Sequence, residues 1–281
     1  MLDASHTIAP NIPDQKPSAI VMVPLYTSHL SADAALSLAR SVRVLGHHPF
    51  AIVCPQGLDL SPLDALLAPA KPRVERFDAS YFDGIVGYNR LMLSQALYER
   101  FANHDYLLVC QTDAYVFHDG LDHWCAKAYD YIGAPWIATK RTPLNRALFN
   151  FNNLFRKRKK SDEYFFKVGN GGFSLRRLSM MRRIVAELRE DIDWHLANPD
   201  HRDRHIEDRY MSIVAPNHIP EMRIPDYREA VAFCMDRRPG LAMKMNAGRL
   251  PFACHGFDKH HVRAFWQPIL NAIEQTSSHH A

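Results

Sequence analysis

The 281-residue sequence has no pair of closely spaced cysteines. Its five cysteines, an odd number, are scattered along the chain: Cys54, Cys110, Cys125, Cys234 and Cys254. Without a C-x-x-C pair the sequence offers neither a zinc ribbon nor a thioredoxin-like redox motif. We therefore expect free thiols and a cytoplasmic, reducing location.

Long hydrophobic runs are also missing. Nowhere do eighteen uncharged apolar residues follow one another, and the N-terminus contains no basic segment followed by an apolar run. The sequence thus predicts neither a membrane span nor a signal peptide. The polar terminal segments 1–18 and 273–281 are expected to be disordered.

A strong excess of one charge is absent as well. Lysine and arginine total 34 and aspartate and glutamate 30, which gives a net charge of +4. This balance does not call for a nucleic-acid partner, and we expect none. The hydrophobic content of 47% is too high for a disordered chain and predicts a folded core.

Short apolar strands alternate with helices in the first half of the chain, which is typical of a parallel α/β sheet. The predicted strands are 19–26, 50–54, 74–77 and 106–110, and the predicted helices are 31–46, 60–68, 87–101, 178–196 and 204–214. No glycine-rich phosphate loop follows the first strand, which argues against a dehydrogenase or a P-loop enzyme. We predict one α/β domain over residues 19–272.

Polar residues directly after two of these strands should face one cleft, because ligands bind at the carboxyl ends of parallel strands. These residues are Tyr26, Thr27 and Asp113. Asp113 either binds a cation or caps the next helix. Asp119 either adds a second carboxylate or, as DGLDHW favours, belongs to a turn and helix start.

The basic segment 141–160, within a predicted mobile insertion at 137–162, combines lysine and arginine with isolated aromatic residues. Three interpretations remain open: contact with an anionic membrane at its inner face, a lid over the substrate, or a solvated insertion.

Three further patterns are ambiguous on their own. The VGNGGFSLR segment, with Asn170, Gly171 and Gly172, suits close approach to a sugar but also a plain glycine-rich hairpin. The pair Glu207 and Asp208 lies on a predicted helix, where adjacent carboxylates usually form a solvated face.

The PFACHGFDK segment carries the third pattern. His255 is either a metal ligand or a hydrogen-bonded core residue, and Lys259 could contact a diphosphate. A zinc site formed with Cys254, His260 and His261 lacks the usual ligand spacing.

The segments YNRLMLSQALYERF, YLLVCQTDAYVF, WCAKAYDYIGAPW, VGNGGFSLR, IEDRYMS and PFACHGFDK, in this order, resemble a bacterial and fungal domain-of-unknown-function family with features of GT-A glycosyltransferases. The resemblance covers residues 19–270. It implies a GT-A-like (Rossmann-like) mixed sheet, largely parallel and flanked by helices. It also aligns Asp113-Ala114-Tyr115 with the D-x-D element, so Tyr115 replaces the second aspartate and metal coordination rests on Asp113.

The resemblance assigns a role to each ambiguous residue. Asp113 and His255 would bind Mn²⁺ or Mg²⁺, Lys259 the diphosphate, and Asp208 would be the general base, with Glu207 as the alternative. Asn170, Gly171 and Gly172 would contact sugar or acceptor, and the candidate nucleoside and phosphate contacts are Tyr26, Thr27, Tyr88, Asn89 and Arg90.

The implied function is inverting transfer of a hexose from a nucleotide sugar, first of all a UDP-sugar, to a hydroxyl of a glycan or other acceptor in polysaccharide or glycoconjugate assembly. Two alternatives stay open: a non-catalytic protein that binds nucleotide sugars or carbohydrate, and a nucleotide-sugar hydrolase. Product analysis separates the three.

Overall fold

A computed structural model describes residues 16–137, 165–198 and 206–278. In these residues the strands are β1 Ala19–Pro24, β2 Phe50–Pro55, β3 Arg73–Phe77, β4 Tyr106–Cys110, β5 Ala114–Val116, β6 Tyr131–Gly133, β7 Phe173–Arg177, β8 Cys234–Met235 and β9 Ala253–His255. The main sheet has the order β3-β2-β1-β4-β7-β6. Strands β1 to β4 are parallel and β7 is antiparallel to both β4 and β6. The predicted mixed, largely parallel sheet is confirmed.

The helices are α1 Ala32–Leu45, α2 Asp64–Leu67, α3 Gly84–Met92, α4 Gln95–Arg100, α5 Leu121–Ala126, α6 Leu178–Glu187, α7 Arg189–Ala197, α8 Ile206–Arg209, α9 Ala215–His218, α10 Tyr227–Phe233, α11 Pro239–Met245 and α12 His260–Ser278. Two 3-10 turns cover Ser61–Leu63 and Ala79–Phe82, and a π-helical turn covers Tyr210–Val214. Helix α1 starts as predicted, because the Ser31 hydroxyl accepts a hydrogen bond from the Ala34 amide.

Every residue of β1 and β4 is buried, as is expected of strands covered on both faces. A second sheet, in the order β5-β9-β8, lies beyond the end of β4. Its register places Ala114 opposite His255 in antiparallel pairing. The small sheet therefore brings the chain just after β4 next to the PFACHGFDK segment.

Two predicted helices are broken in the structure. The helix predicted over 87–101 is α3 followed by α4, because the chain turns at Leu93 and the Ser94 hydroxyl caps α4 at the Leu97 amide. The helix predicted over 178–196 is divided at Leu188 into α6 and α7. Apolar periodicity continues across both breaks, and for that reason the sequence suggested single helices.

The predicted disordered tail 273–281 is wrong for residues 273–278, which belong to α12. Glu274 anchors this part of the helix: its Oε2 lies 2.7 Å from Arg43 Nη2, and its Oε1 accepts a hydrogen bond from the Tyr115 hydroxyl. Ile273 packs against the apolar cluster beneath the helix. The polar composition of the tail concealed these tertiary contacts.

Several predictions fall on other parts of the chain. Residues 1–15 of the predicted N-terminal segment, the basic segment 141–160 and residues 279–281 lie outside the described residues. Within the described part, no helix has the length and apolar character that crossing a bilayer requires. All five cysteines are buried and unpaired with one another, as expected of free thiols.

Candidate active site

A cleft of about 800 Å³ opens where β4 ends, which is a volume typical of small-molecule sites. Most of the residues predicted for the site line it: Tyr88, Asn89, Asp113, Asn170, Gly171, Gly172, Glu207, Asp208, His255 and Lys259. They come from five separate regions of the sequence. The strand ends and the small sheet therefore assemble one site from motifs that are individually weak.

Three predicted donor contacts are not among the described residues that line the cleft. The Tyr26 ring, which is 41% exposed, lies beside Tyr88 with ring centres 6.4 Å apart. Thr27 accepts a hydrogen bond from the His29 amide within its own turn. The Arg90 guanidinium donates to the carbonyl of Ser80 on the exposed side of α3. A role of these three residues in donor binding stays a prediction.

Asp113 and His255 converge as predicted. Oδ1 of Asp113 lies 3.0 Å from Nε2 of His255, and its Oδ2 lies 3.6 Å from Nζ of Lys259. Burial alone would raise the pKa of Asp113, but His255 and Lys259 lower it to about 2. Burial alone would lower the pKa of His255, but its carboxylate neighbours raise it to about 9. Without a bound cation, the two side chains thus favour an oppositely charged pair.

Asp236 is a site residue that the sequence analysis missed. Its Oδ1 lies 3.6 Å from Nδ1 of His255, on the opposite edge of the imidazole from Asp113, and its Oδ2 accepts a hydrogen bond from the Asn170 amide at 2.9 Å. Burial would raise the pKa of Asp236, but His255 lowers it. Asp236 directly follows β8, so the strand-end rule could have identified it if that two-residue strand had been recognised.

The two adjacent glycines of the NGG segment are required by close approach. A Cβ atom on Gly172 would overlap the His255 imidazole, and one on Gly171 would overlap the Glu207 carboxylate. Asn170 adopts a positive φ of 45° and accepts a hydrogen bond from the Gly172 amide, which closes the turn. The segment therefore joins the His255 side of the cleft to the Glu207 side.

Glu207 and Asp208 are both buried, so the interpretation of this pair as a solvated helix face is wrong. Oε2 of Glu207 accepts a hydrogen bond from Nη2 of Arg176 at 2.9 Å, and Arg176 is itself fully buried. Arg176 also donates to Ser174, whose hydroxyl donates to the Gly171 carbonyl. Arg176 is the last residue of the VGNGGFSLR motif, which the sequence analysis used only for its Asn and Gly residues.

A family model described as a protein of unknown function (DUF5672) matches residues 71–255, about two thirds of the chain. The chain belongs to the DUF5672 family. No curated protein matches the sequence.

Two solved structures align with this one. LgtC, a glycosyltransferase of the GT-A fold seen in the crystal structure of an active-site mutant, aligns over 84% of this chain and 86% of its own, with 15% identity and a TM-score of 0.52. Core-mannan synthase A from Aspergillus fumigatus, in its Mn/GDP form, aligns over 69% of this chain and 67% of its own, with 10% identity and a TM-score of 0.43. The similarity to LgtC confirms the predicted GT-A-like fold of this DUF5672 protein.

The two carboxylates of the Glu207-Asp208 pair differ in their electrostatic surroundings in this DUF5672 protein. Glu207 is neutralised by the guanidinium of Arg176. Asp208 has no such direct partner among the described ion pairs, and burial together with the charge of Glu207 raises its pKa well above the usual carboxyl range. A buried carboxyl with a raised pKa is suited to exchange protons near neutral pH.

The D-x-D-like element of this DUF5672 protein has one carboxylate in the cleft. Tyr115 is fully buried in the apolar cluster below α12, where its ring lies 5.3 Å from that of Phe117. Its hydroxyl donates to Glu274. The side chain at the position of the second aspartate therefore faces away from the cleft.

The Asp113 and His255 side chains fit a divalent cation. Oδ1 of Asp113 is buried without a hydrogen-bond partner, and it lies next to an imidazole nitrogen. A carboxylate oxygen with one imidazole nitrogen is a donor set that Mn²⁺ accepts, and Mg²⁺ accepts carboxylate and phosphate oxygens. The predicted ligands are thus placed where both could hold one ion.

Proposed function

We propose that this DUF5672 protein is a glycosyltransferase that moves a sugar from a nucleotide-sugar donor to an acceptor hydroxyl. The observation that carries the proposal is that two different sets of functional groups line one cleft. Asp113, His255 and Lys259 form a charged group at one side, and the buried Asp208 carboxyl lies across the NGG turn. The first suits a diphosphate leaving group and the second suits an attacking hydroxyl.

The donor is bound at the side of Lys259. Its ammonium is half-exposed at the cleft, where it can contact phosphate oxygens beside Asp113, and the exposed side chains of Arg237 and Arg238 line the same cleft. Asp113 and His255 would hold Mn²⁺ or Mg²⁺, which when bound stabilises the negative charge that develops on the diphosphate. We infer a UDP-sugar as the donor to test first.

The acceptor reacts at the side of Asp208. As the acceptor oxygen bonds to the anomeric carbon, the bond from that carbon to the diphosphate oxygen breaks, and its electron pair leaves with the nucleoside diphosphate. The hydroxyl proton passes to the Asp208 carboxylate. Attack opposite the leaving group inverts the anomeric configuration. A glycan acceptor, and with it a role in polysaccharide or glycoconjugate assembly, completes the proposal.

A two-step experiment tests it. Thermal shift with UDP-, GDP-, CMP- and dTDP-sugars, with and without Mn²⁺, identifies the donor, because binding to the native state raises the melting temperature. The selected donor is then incubated with candidate acceptors and the products are analysed by NMR. A new glycosidic bond of inverted configuration is expected.

Other products would overturn the proposal in defined ways. Free sugar formed without acceptor would identify a nucleotide-sugar hydrolase. Donor binding without any turnover would identify a binding protein on the same fold. A product that retains the donor configuration would exclude the inverting mechanism.

A further inference from the structure

A cluster of two histidines and one aspartate lies away from the cleft. His47 and His48 follow the end of α1 and precede β2, and Asp119 lies between β5 and α5. Strand β2 is parallel to β1, and β1 is parallel to β4. The start of β2 and the end of β4 therefore lie at opposite ends of the parallel strands. The cluster therefore lies at the end of the sheet opposite to Asp113.

The three side chains converge on one point. Oδ2 of Asp119 lies 3.0 Å from Nε2 of His47 and 2.8 Å from Nε2 of His48. These three ligand atoms all lie within 4.8 Å of one another, and no other group of three such ligand atoms in the described parts of the chain is as close. Two imidazoles thus present the same ring nitrogen to one carboxylate oxygen.

The surrounding structure holds this arrangement in place. Oδ1 of Asp119 accepts a hydrogen bond from the Leu121 amide at 2.9 Å, which orients the carboxylate with Oδ2 toward the imidazoles. Helix α1 is fixed alongside β5, because the buried Arg40 guanidinium donates to the carbonyls of Val116 and Phe117. The two segments that carry the cluster are therefore joined by contacts that do not depend on the cluster itself.

We propose that His47, His48 and Asp119 bind a divalent transition metal ion, with Zn²⁺ as the best match. Two imidazole nitrogens and one carboxylate oxygen form a donor set that zinc uses, whereas Ca²⁺ and Mg²⁺ favour oxygen ligands alone. His48 is 10% exposed and His47 63%, so the site is anchored on one side and open to a solvent ligand on the other. The bound ion links the α1–β2 turn to the β5–α5 turn.

Co²⁺ as a spectroscopic substitute for zinc tests this site in the full chain. We expect bound Co²⁺ to show the strong visible d–d absorption of a low-coordinate ion. Zn²⁺ should displace the Co²⁺, with one equivalent bound at the cluster. The His47→Ala and Asp119→Asn variants should each weaken Zn²⁺ binding about tenfold or more, measured by competition with a chromogenic chelator. His29→Ala, at another exposed histidine, is the matched control and should bind as the wild type.

The cleft is a second place where metal could bind, so the measurements are repeated in the Asp113→Asn variant. If the metal binds at the cluster, this variant should keep the Co²⁺ spectrum and the Zn²⁺ affinity of the wild type. Melting temperatures without metal show whether each variant is folded, and at one fixed Zn²⁺ concentration the gain in melting temperature should be smaller in His47→Ala and Asp119→Asn than in the wild type, His29→Ala and Asp113→Asn. Unchanged binding in both His47→Ala and Asp119→Asn, or loss of the spectrum in Asp113→Asn, would overturn the site.

Discussion

The carboxylate of Glu207 lies 2.9 Å from the guanidinium of Arg176, and both side chains are buried. The next residue, Asp208, has no comparable partner among the described ion pairs. The two adjacent carboxyl groups therefore differ in that Glu207 has a buried counter-charge beside it and Asp208 does not. Glu207 is held in the wall of the cleft by its ion pair with Arg176. Asp208, whose pKa burial raises, is the carboxyl that we propose as the base.

Removal of the Arg176 charge should destabilise the protein strongly. Arg176→Leu leaves the Glu207 carboxylate buried without its counter-charge, and we expect a loss of about 3 to 5 kcal/mol in the free energy of unfolding. Urea denaturation measures this loss. The control is Arg182→Gln, which removes the exposed ion pair with Glu99 and should have little effect. Equal stability of Arg176→Leu and the wild type would show that the buried pair is not needed.

The activity should depend on an ionised Asp208. Because burial raises its pKa, kcat should fall on acidification at a pH well above the usual carboxyl range. At pH values above this pKa, Asp208→Asn should lower kcat by roughly 10² to 10⁴, with donor affinity nearly unchanged. Full activity of Asp208→Asn would move the base to another residue.

The same carboxyl should affect stability in the opposite pH direction. The folded protein retains the Asp208 proton at pH values where the unfolded chain has lost it, since the folded pKa is the higher one. The stability that the retained Asp208 proton contributes is therefore fully present below the pKa of the unfolded chain, and it is lost as pH rises through the pKa of the folded protein. Over this pH range the melting temperature of the wild type should decrease relative to that of Asp208→Asn. If the two melting temperatures changed with pH in the same way, the raised pKa would be contradicted.

Metal-supported donor binding should require Asp113. Asp113→Asn removes the charge of the carboxylate that faces His255, and we expect at least about a tenfold loss of donor affinity in Mn²⁺ by calorimetry. Tyr115→Phe is the matched control, since its side chain contacts Glu274 outside the cleft and donor binding should be unchanged. Asp113→Asn with wild-type affinity in Mn²⁺ would contradict the assignment.

Local sequence patterns predicted the elements that local chemistry determines. The Ser31 cap, the buried strand Tyr106–Cys110 and the polar residue beyond it follow from neighbouring residues, and the structure contains all three. The convergence of Asp113 with His255 was expected from the resemblance alone. It arises physically because β5 pairs with β9, which no local pattern encodes.

The missed features depend on tertiary contacts between distant segments. Asp236 follows a strand of two residues, which is too short for a periodic signal. The burial of Glu207 depends on Arg176, 31 positions earlier in the chain. In the helical residues 273–278, Glu274 pairs with Arg43 on α1. In each case a polar side chain is stabilised by a partner that the sequence does not place nearby.

The NGG turn gives a sharp test of how the two sides of the cleft are joined. In Gly172→Ala the added methyl group would overlap the His255 imidazole and press on the Gln111 side chain, so His255 must move away from Asp113. Activity and Mn²⁺ binding should both fall about tenfold or more, although the substitution adds a single carbon atom. Gly240→Ala is the matched control: its Cβ would meet nothing closer than 3.7 Å, and α11 should accept alanine with equal or higher melting temperature. A Gly172→Ala protein that folds and keeps wild-type Mn²⁺ affinity would show that the position of His255 next to this turn does not matter for the metal.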